Sequence, residues 1–358
     1  MKTNHKIYFK NSSDMGELES NSIDLMITSP PYPMIEMWDV LFSSLNNEIK
    51  QALNEDNGKI AFTLMHKELE KVWSEVNRVL KPGGIACINI GDATRKIGRS
   101  FQLFPNHVKI TNFFQNNNFI ELPSILWRKP TNSPNKFLGS GMLPPNAYVT
   151  LEHEHILIFR KGDFKRDIEP KSENRYQSAF FWEERNKWFS DIWDDIRGVS
   201  QNLNKKNSDQ KKLRERSAAY PLEIPYRLIN MFSLYKNTVL DPFWGTGTTS
   251  LAAMISGRNS IGYEIDSEFM KLFKMNILKI KKLNKDLNNE RLNKHINFIK
   301  KYRKEVKEPN YNSEEYDFPV ITKQETGILL YAINSYSAYK NKLILRYEKF
   351  NFDSKMES

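Results

Sequence analysis

The chain has 358 residues and carries 53 Lys and Arg against 43 Asp and Glu, a formal net charge of +10. That length can bury a sizeable core, in one large domain or two smaller ones, and the basic balance favours a polyanionic partner. The single cysteine excludes a disulfide framework, the polar N-terminus is unlike a signal peptide, and no apolar run approaches the roughly 18 residues of a membrane span, so a cytoplasmic protein is expected.

A first short strand is predicted over 6–9, followed by a polar stretch over 11–21 with Leu18 as its apolar anchor. The run Ile23-Asp24-Leu25-Met26-Ile27 is brief, isoleucine-rich and bounded by polar residues, which predicts a buried strand. It ends in Thr28-Ser29-Pro30-Pro31-Tyr32. The prolines cannot donate to a ladder, and each fixes its own φ at about −65°, so the tip is stiff. It presents Ser29 Oγ, the carbonyls of Ser29 and Pro30 and the Tyr32 ring at a strand's carboxyl end, where open α/β sheets bind ligands. Acceptors beside a flat aromatic face suit a planar group bearing an amino function, such as a nucleobase turned out of its helix. A plain Pro-Pro turn after a core strand is the other reading.

Residues 33–39 are predicted to pack over this tip and gate it, with Glu36 as a solvated or capping acid or, alternatively, an acceptor in the site. Leu69, Val72, Trp73, Val76, Val79 and Leu80 share one face of a helix over 66–80, closed by Lys81-Pro82-Gly83-Gly84. A buried strand over 85–90, holding Cys87, leads to Gly91-Asp92. Asn89 and Asp92 are therefore candidates for the cleft, and Asp92 reads equally as a turn former. A helix over 104–116 and an apolar segment over 119–127 follow, then a loop over 128–145. Within it Leu138-Gly139-Ser140-Gly141 could approach a phosphate or base, or be ordinary loop. A strand is predicted over 155–159. His153 and His155 point one way along it with no cysteine or third histidine nearby in sequence, which favours a structural role and no metal.

Over 161–216 Lys, Arg and Asn are interleaved with Tyr176, Phe180, Phe181, Trp182, Trp188, Phe189, Ile192 and Trp193, and 202–216 is basic with almost no apolar residues. Such a segment suits phosphate contact plus stacking, against the bland reading of a solvated insertion. A helix opens over 217–225. A strand over 238–243 then runs into a glycine-rich turn, a helix over 249–255 ended by Gly257, and a strand over 261–264. Gly245 and Gly247 would let backbone approach a ligand without a Cβ clash. Glu264, about twenty residues on, could accept hydrogen bonds from ribose hydroxyls. A phosphate loop would need a lysine that is absent, and a dinucleotide fingerprint a third glycine where Ser250 stands. The chain is lysine-rich and helical over 269–306, breaks over 309–319, and continues as helix or strand over 327–347.

Two of these stretches together carry a resemblance. Thr28-Ser29-Pro30-Pro31-Tyr32 resembles the (Asp/Asn/Ser)-Pro-Pro-(Tyr/Phe) catalytic motif of the amino-group DNA methyltransferases, and Asp241-Pro242-Phe243-Trp244-Gly245-Thr246-Gly247-Thr248-Thr249 resembles their S-adenosylmethionine motif. Their order, catalytic motif first, resembles the permuted β group, and the likeness covers residues 7–290. It implies an α/β, Rossmann-like methyltransferase sheet with circularly permuted motif order and a basic target-recognition insertion. The implied division is a catalytic half over 1–160, target recognition over 161–216, a cofactor-binding half over 217–300 and a C-terminal extension over 301–358.

The resemblance further implies S-adenosylmethionine as cofactor, duplex DNA with a flipped base as substrate, and a cognate restriction endonuclease as genetic partner. Catalysis would fall to Ser29, Pro30, Pro31 and Tyr32, with Ser29 Oγ and the Pro30 carbonyl accepting from the target amine and Tyr32 stacking on the base. Ser217, Ala218 and Tyr220 would lie along the methionine part of the cofactor. Asp241 would receive its ammonium group and Phe243 pack on its adenine. Gly245, Gly247 and Thr248 would form the turn, and Glu264 would take the ribose. In the family a serine in the first motif position goes mostly with cytosine N4 and an aspartate with adenine N6, so methylation of cytosine N4 is expected. Cys87 follows no Pro-Cys motif, which argues against ring-carbon methylation. The rivals are an adenine N6, RNA or protein methyltransferase, and a non-enzymatic DNA-binding protein with a degenerate cofactor fold. The last is disfavoured because both motifs are intact.

Overall fold

The computed structural model describes residues 1–129, 138–198 and 219–352. Ten strands of these residues share one sheet. In chain order they are β1 (Lys2–Tyr8), β2 (Ile23–Thr28), β3 (Leu80–Ile90), β4 (Phe119–Arg128), β5 (His153–Lys161), β6 (Ile192–Trp193), β7 (Thr238–Asp241), β8 (Asn259–Tyr263), β9 (Tyr331–Tyr339) and β10 (Lys342–Lys349). Their spatial order is β6-β4-β5-β3-β2-β7-β8-β1-β10-β9. The helices that matter for the site are α1 (Asp39–Leu45), α2 (Asn47–Asn54), α3 (Gly58–Val79), α4 (Asn106–Asn116), α5 (Glu173–Gln177), α6 (Trp182–Trp188), α7 (Glu223–Phe232), α8 (Thr248–Ile255), α9 (Phe269–Ile277) and α10 (Ile280–Glu305).

The five central strands, β3-β2-β7-β8-β1, pair in parallel. Every residue of β2 is buried, as befits a parallel strand covered on both sides, and its two polar residues, Asp24 and Thr28, are both hydrogen-bonded to β7. Leu25 and Ile27 pack into one layer with α7 and α8, and Met26 packs into the opposite layer with α3 and α4. Asp24, buried in this run, accepts from Thr238 N at 2.8 Å and pairs with Lys81 and Arg166 at 2.7 and 2.9 Å. It pins the start of β2 to the start of β7. Because β2 and β7 are neighbours with Leu25 opposite Val239, their carboxyl ends open side by side.

Several elements differ from the sequence reading. The predicted helix over 66–80 begins earlier, at Gly58, where Asn57 accepts from Ile60 N, and it ends at Val79 because Leu80 turns extended. Lys81 to Gly84 belong to the start of β3, with Gly83 at φ 71°. Within residues 33–39 a short 3₁₀ turn, Glu36–Trp38, runs into α1; α2 follows, and Phe42, Ile49 and Ala52 are the buried side chains of these two short helices. Ala93–Ile97 and Ser100–Phe104 form a hairpin in a stretch for which no element was predicted, so the helix predicted over 104–116 begins at Asn106. The tail resolves into strands: β10 pairs antiparallel with β1, and β9 with β10, extending the sheet.

The aromatic segment also departs from expectation. Phe181, Trp188 and Trp193 are buried, Trp193 to 1 % exposure, and Ile192-Trp193 adds a strand beside β4. Arg291 of α10 donates to both carboxylate oxygens of Glu184 at 2.5 and 2.8 Å, and His295 stacks on Phe181 with ring centroids 4.1 Å apart. These rings are core, so they are not stacking platforms for bases. Trp182, 41 % exposed, is not so committed. The basic run over 202–216 lies outside the described residues, as do Ser217 and Ala218.

Candidate active site

The site is built on the adjoining ends of β2 and β7. Thr28 Oγ1 donates to Asp241 Oδ1 at 2.6 Å, Phe243 N donates to the same oxygen at 3.1 Å, and Thr249 Oγ1 donates to Oδ2. Tyr220 hydrogen-bonds Thr249 in turn, so this predicted site residue reaches the cofactor motif through one hydroxyl. Asp241 is buried, and burial pushes its carboxyl up to about 6, although all three hydrogen bonds favour the anion. A carboxylate offers about four lone-pair sites. One on Oδ2 therefore remains for a cationic donor, which suits the ammonium group expected there.

Glu264 follows β8. Its Oε2 accepts from Gly245 N at 2.8 Å and its Oε1 from Asp266 N at 2.9 Å, and burial raises its carboxyl. With a further backbone hydrogen bond from Ile265, about one of its four lone-pair sites is left for a hydroxyl. Gly245 sits at φ 52° with open space where a Cβ would go, so its lack of a side chain serves the cavity. Gly247 differs from the expectation. At φ 79°, a Cβ there would stand 2.4 Å from Phe273 and 2.7 Å from Trp244, so its glycine serves packing and the turn into α8. Thr248 opens that helix, 3.3 Å from Thr246 between hydroxyls.

A cavity of about 730 Å³ joins the two motifs: Ser29 and Pro31 line it together with Pro242, Phe243, Gly245 and Glu264. Sequence reasoning missed much of its wall. Lys10, Asn11, Ser12 and Ser13, which follow β1, contribute, as do Trp38 and Leu41, and Leu69 and Val72 of the α3 apolar face. The apolar wall beside Phe243 and the polar Glu264 edge suit a nucleoside, and the Asp241 lone pair suits an amino-acid moiety. The residues present therefore fit S-adenosylmethionine.

At the tip, Ser29 Oγ lies 3.0 Å from the Tyr32 hydroxyl, which donates to Glu154 Oε2 at 2.9 Å. Asn89 Nδ2 donates to Tyr32 at 2.8 Å and to Glu154 Oε2 at 2.6 Å, and Lys129 donates to Glu154 Oε1 at 2.5 Å. Gly91 makes room for this cluster, since a Cβ there would stand 3.0 Å from the Tyr32 ring and 3.3 Å from Glu154. Burial, then the Glu154 charge, pushes the Tyr32 phenol up, so it keeps its proton. Of the other candidates, Asn89 joins the cluster. Glu36 is exposed, with Arg95 4.0 Å away. Asp92 accepts from His107, whose ring stacks on His155 with centroids 4.1 Å apart. A third histidine does therefore come near, brought by α4 from a distance in sequence that spacing does not register. His107, His155 and Asp92 could together hold a metal ion.

A parallel-centred α/β sheet with a glycine-rich turn, a following acid and a Ser-Pro-Pro-Tyr tip at one cavity defines the class of S-adenosylmethionine-dependent methyltransferases. The DNA methylase family profile for N6 and N4 transfer matches residues 23–275. The chain belongs to that family, the amino-group DNA methyltransferases. It is 56 % identical over 343 residues to the type II methyltransferase M.MthZI of Methanothermobacter thermautotrophicus, covering 95 % of this chain and 94 % of that protein. It is 53 % identical over 304 residues to M.MjaI of Methanocaldococcus jannaschii, covering 82 % and 97 %. The structure of a DNA modification methylase from Thermus thermophilus, complexed with S-adenosyl-L-methionine, superposes with a TM-score of 0.59 at 29 % identity, covering 77 % of this chain and 94 % of that one. Among the described residues no helix is long and apolar enough to cross a membrane.

Proposed function

We propose that the enzyme is a site-specific modification methyltransferase that methylates the exocyclic N4 of cytosine in duplex DNA. The observation that carries this reading is that Ser29 and Phe243 line one cavity, so the acceptor tip and the cofactor motif share a single chamber. S-adenosylmethionine, when bound, supplies a methyl group on an activated sulfonium. Asp241 holds its ammonium end, Glu264 its ribose and Phe243 its adenine.

The target nitrogen is a poor nucleophile because its lone pair is delocalised into the base ring. Ser29 Oγ and the Pro30 carbonyl accept from its N–H groups, pull it towards tetrahedral geometry and free the lone pair, while Tyr32 stacks on the base. Positioning for in-line attack supplies much of the remaining acceleration. The base leaves the helix first, at a cost of about a few kcal/mol that contacts to DNA offset. The basic run over 202–216 supplies such contacts, within a target-recognition region over 161–216 set between the catalytic and cofactor halves. The serine at 29 favours cytosine over adenine. A cognate restriction endonuclease is the corresponding genetic partner.

The test is incubation with S-adenosylmethionine and duplex DNA carrying all short sequence contexts, then digestion to nucleosides and mass spectrometry. N4-methylcytosine is the expected product. N6-methyladenine overturns the base, and the absence of both overturns the function.

A further inference from the structure

We propose that Glu154 is a positioning residue that makes Ser29 a hydrogen-bond acceptor, acting through the Tyr32 hydroxyl. The proposal rests on the role assigned to Ser29 above.

Glu154, ion-paired with Lys129, accepts and has nothing to donate. Asn89 must turn Nδ2 and not Oδ1 towards that carboxylate, because two acceptors would repel. Its Nδ2 then donates to Glu154 at 2.6 Å and Tyr32 at 2.8 Å, and approaches Ser29 Oγ only at the much longer 3.5 Å. The Tyr32 hydroxyl has one proton, and it goes to Glu154. The Tyr32 oxygen is left as an acceptor, so the proton between it and Ser29 comes from Ser29. With its proton held inward, Ser29 Oγ presents lone pairs to the cavity it lines. Those lone pairs are what an amine N–H needs. Without the carboxylate, Tyr32 would donate to Ser29, and the serine proton would turn outward against the target N–H.

The arrangement has a visible cost. Asn89 is 3 % exposed, and its Oδ1 has no hydrogen-bond partner among the described residues. A buried acceptor is normally satisfied, and the exception here follows from committing the amide to Tyr32 and Glu154. Glu154 lies 122 positions from Tyr32 and outside both the Ser-Pro-Pro-Tyr and the glycine-rich stretches.

The experiment measures single-turnover methylation by the full chain on DNA that the wild type is first shown to methylate. Wild-type failure at that step defeats the proposed function and not this inference. Glu154→Ala is expected to slow the step by at least about tenfold, the loss of one well-placed charge-assisted hydrogen bond, with cofactor affinity within about twofold. Glu154→Gln, whose amide oxygen can still take the Tyr32 proton, is expected to recover most of that rate. Tyr32→Phe cuts the same chain, so adding Glu154→Ala to it should cost less than about a further twofold. A wild-type rate in Glu154→Ala, or losses that multiply in the double variant, overturns the proposal. Should Glu154→Ala fold poorly, Tyr32→Phe decides alone: an unchanged rate there overturns it too.

Discussion

Thr28 Oγ1 donates a 2.6 Å hydrogen bond to Asp241 Oδ1, joining the last residue of β2 to the last residue of β7 across 213 positions of sequence. Both groups are buried, so water cannot replace the donor. Thr28→Val keeps the shape and removes the hydroxyl. It is expected to cost about 1.5–3 kcal/mol of stability, the range for a hydrogen bond to a charged group, and to weaken cofactor binding with it. Denaturant unfolding and titration calorimetry measure both. Unchanged stability would show that the bond does not hold the two motifs together.

Asp241 gives the site a pH dependence. Its carboxyl is pushed up to about 6, above an unfolded value of about 4. For a raised pKa the contribution to stability is full below the unfolded value and lost as pH rises through the folded one. The cofactor-free protein should therefore lose stability on this account between about pH 4 and 6. An ammonium group on Asp241 favours the anion, so cofactor binding should strengthen over a similar window, by about tenfold from pH 5 to 7. Asp241→Asn should flatten that slope, as calorimetry at both pH values would show. The same slope in the variant would move the titration to another group.

Ser29→Ala removes an acceptor without touching the cofactor strand. Turnover should fall by about 10²–10³, the scale for losing one preorganised hydrogen-bonding group at a reacting centre, with cofactor affinity nearly unchanged. Full activity would remove Ser29 from the mechanism.

Legibility in the sequence followed the range of the interactions. β2, α3 and the unit from β7 to β8 were readable because apolar runs, helical spacing and glycine turns are local. The neighbouring of β2 and β7 was not, since nothing local links Thr28 to Asp241. Glu154 was invisible as a site residue: beside His153 and His155 it looks like one more polar position on a strand, and only the fold sets it against Tyr32. Phe181, Trp188 and Trp193 show the opposite failure. Aromatics among basic residues have the same composition whether they stack on bases or fill a core, and here α10 and β4 bury them. α1 and α2, at seven and eight residues, are too short for spacing alone to set them apart; Phe42 and Ile49 tie them to the core, and the unpredicted hairpin adds the Arg95–Asp39 ion pair, at 2.7 Å, to the start of α1.

The two glycines of the cofactor turn should separate under substitution. Both have positive φ, so alanine strains the backbone at either, by about 1–2 kcal/mol. At Gly245 nothing else in the protein is disturbed, because a Cβ would enter open space beside the cavity. Gly245→Ala should therefore fold with only that small loss and weaken S-adenosylmethionine by about tenfold or more, through a clash with the ligand. At Gly247 the added carbon meets Phe273 of α9 and Trp244, both buried in the core. Gly247→Ala should add overpacking of about 1–3 kcal/mol to the backbone strain, so its melting temperature should drop well below that of Gly245→Ala. Thermal melts with and without cofactor make the comparison. If Gly247→Ala melts like the wild type and only its cofactor affinity falls, then both glycines serve the ligand, and the packing role assigned to Gly247 is wrong.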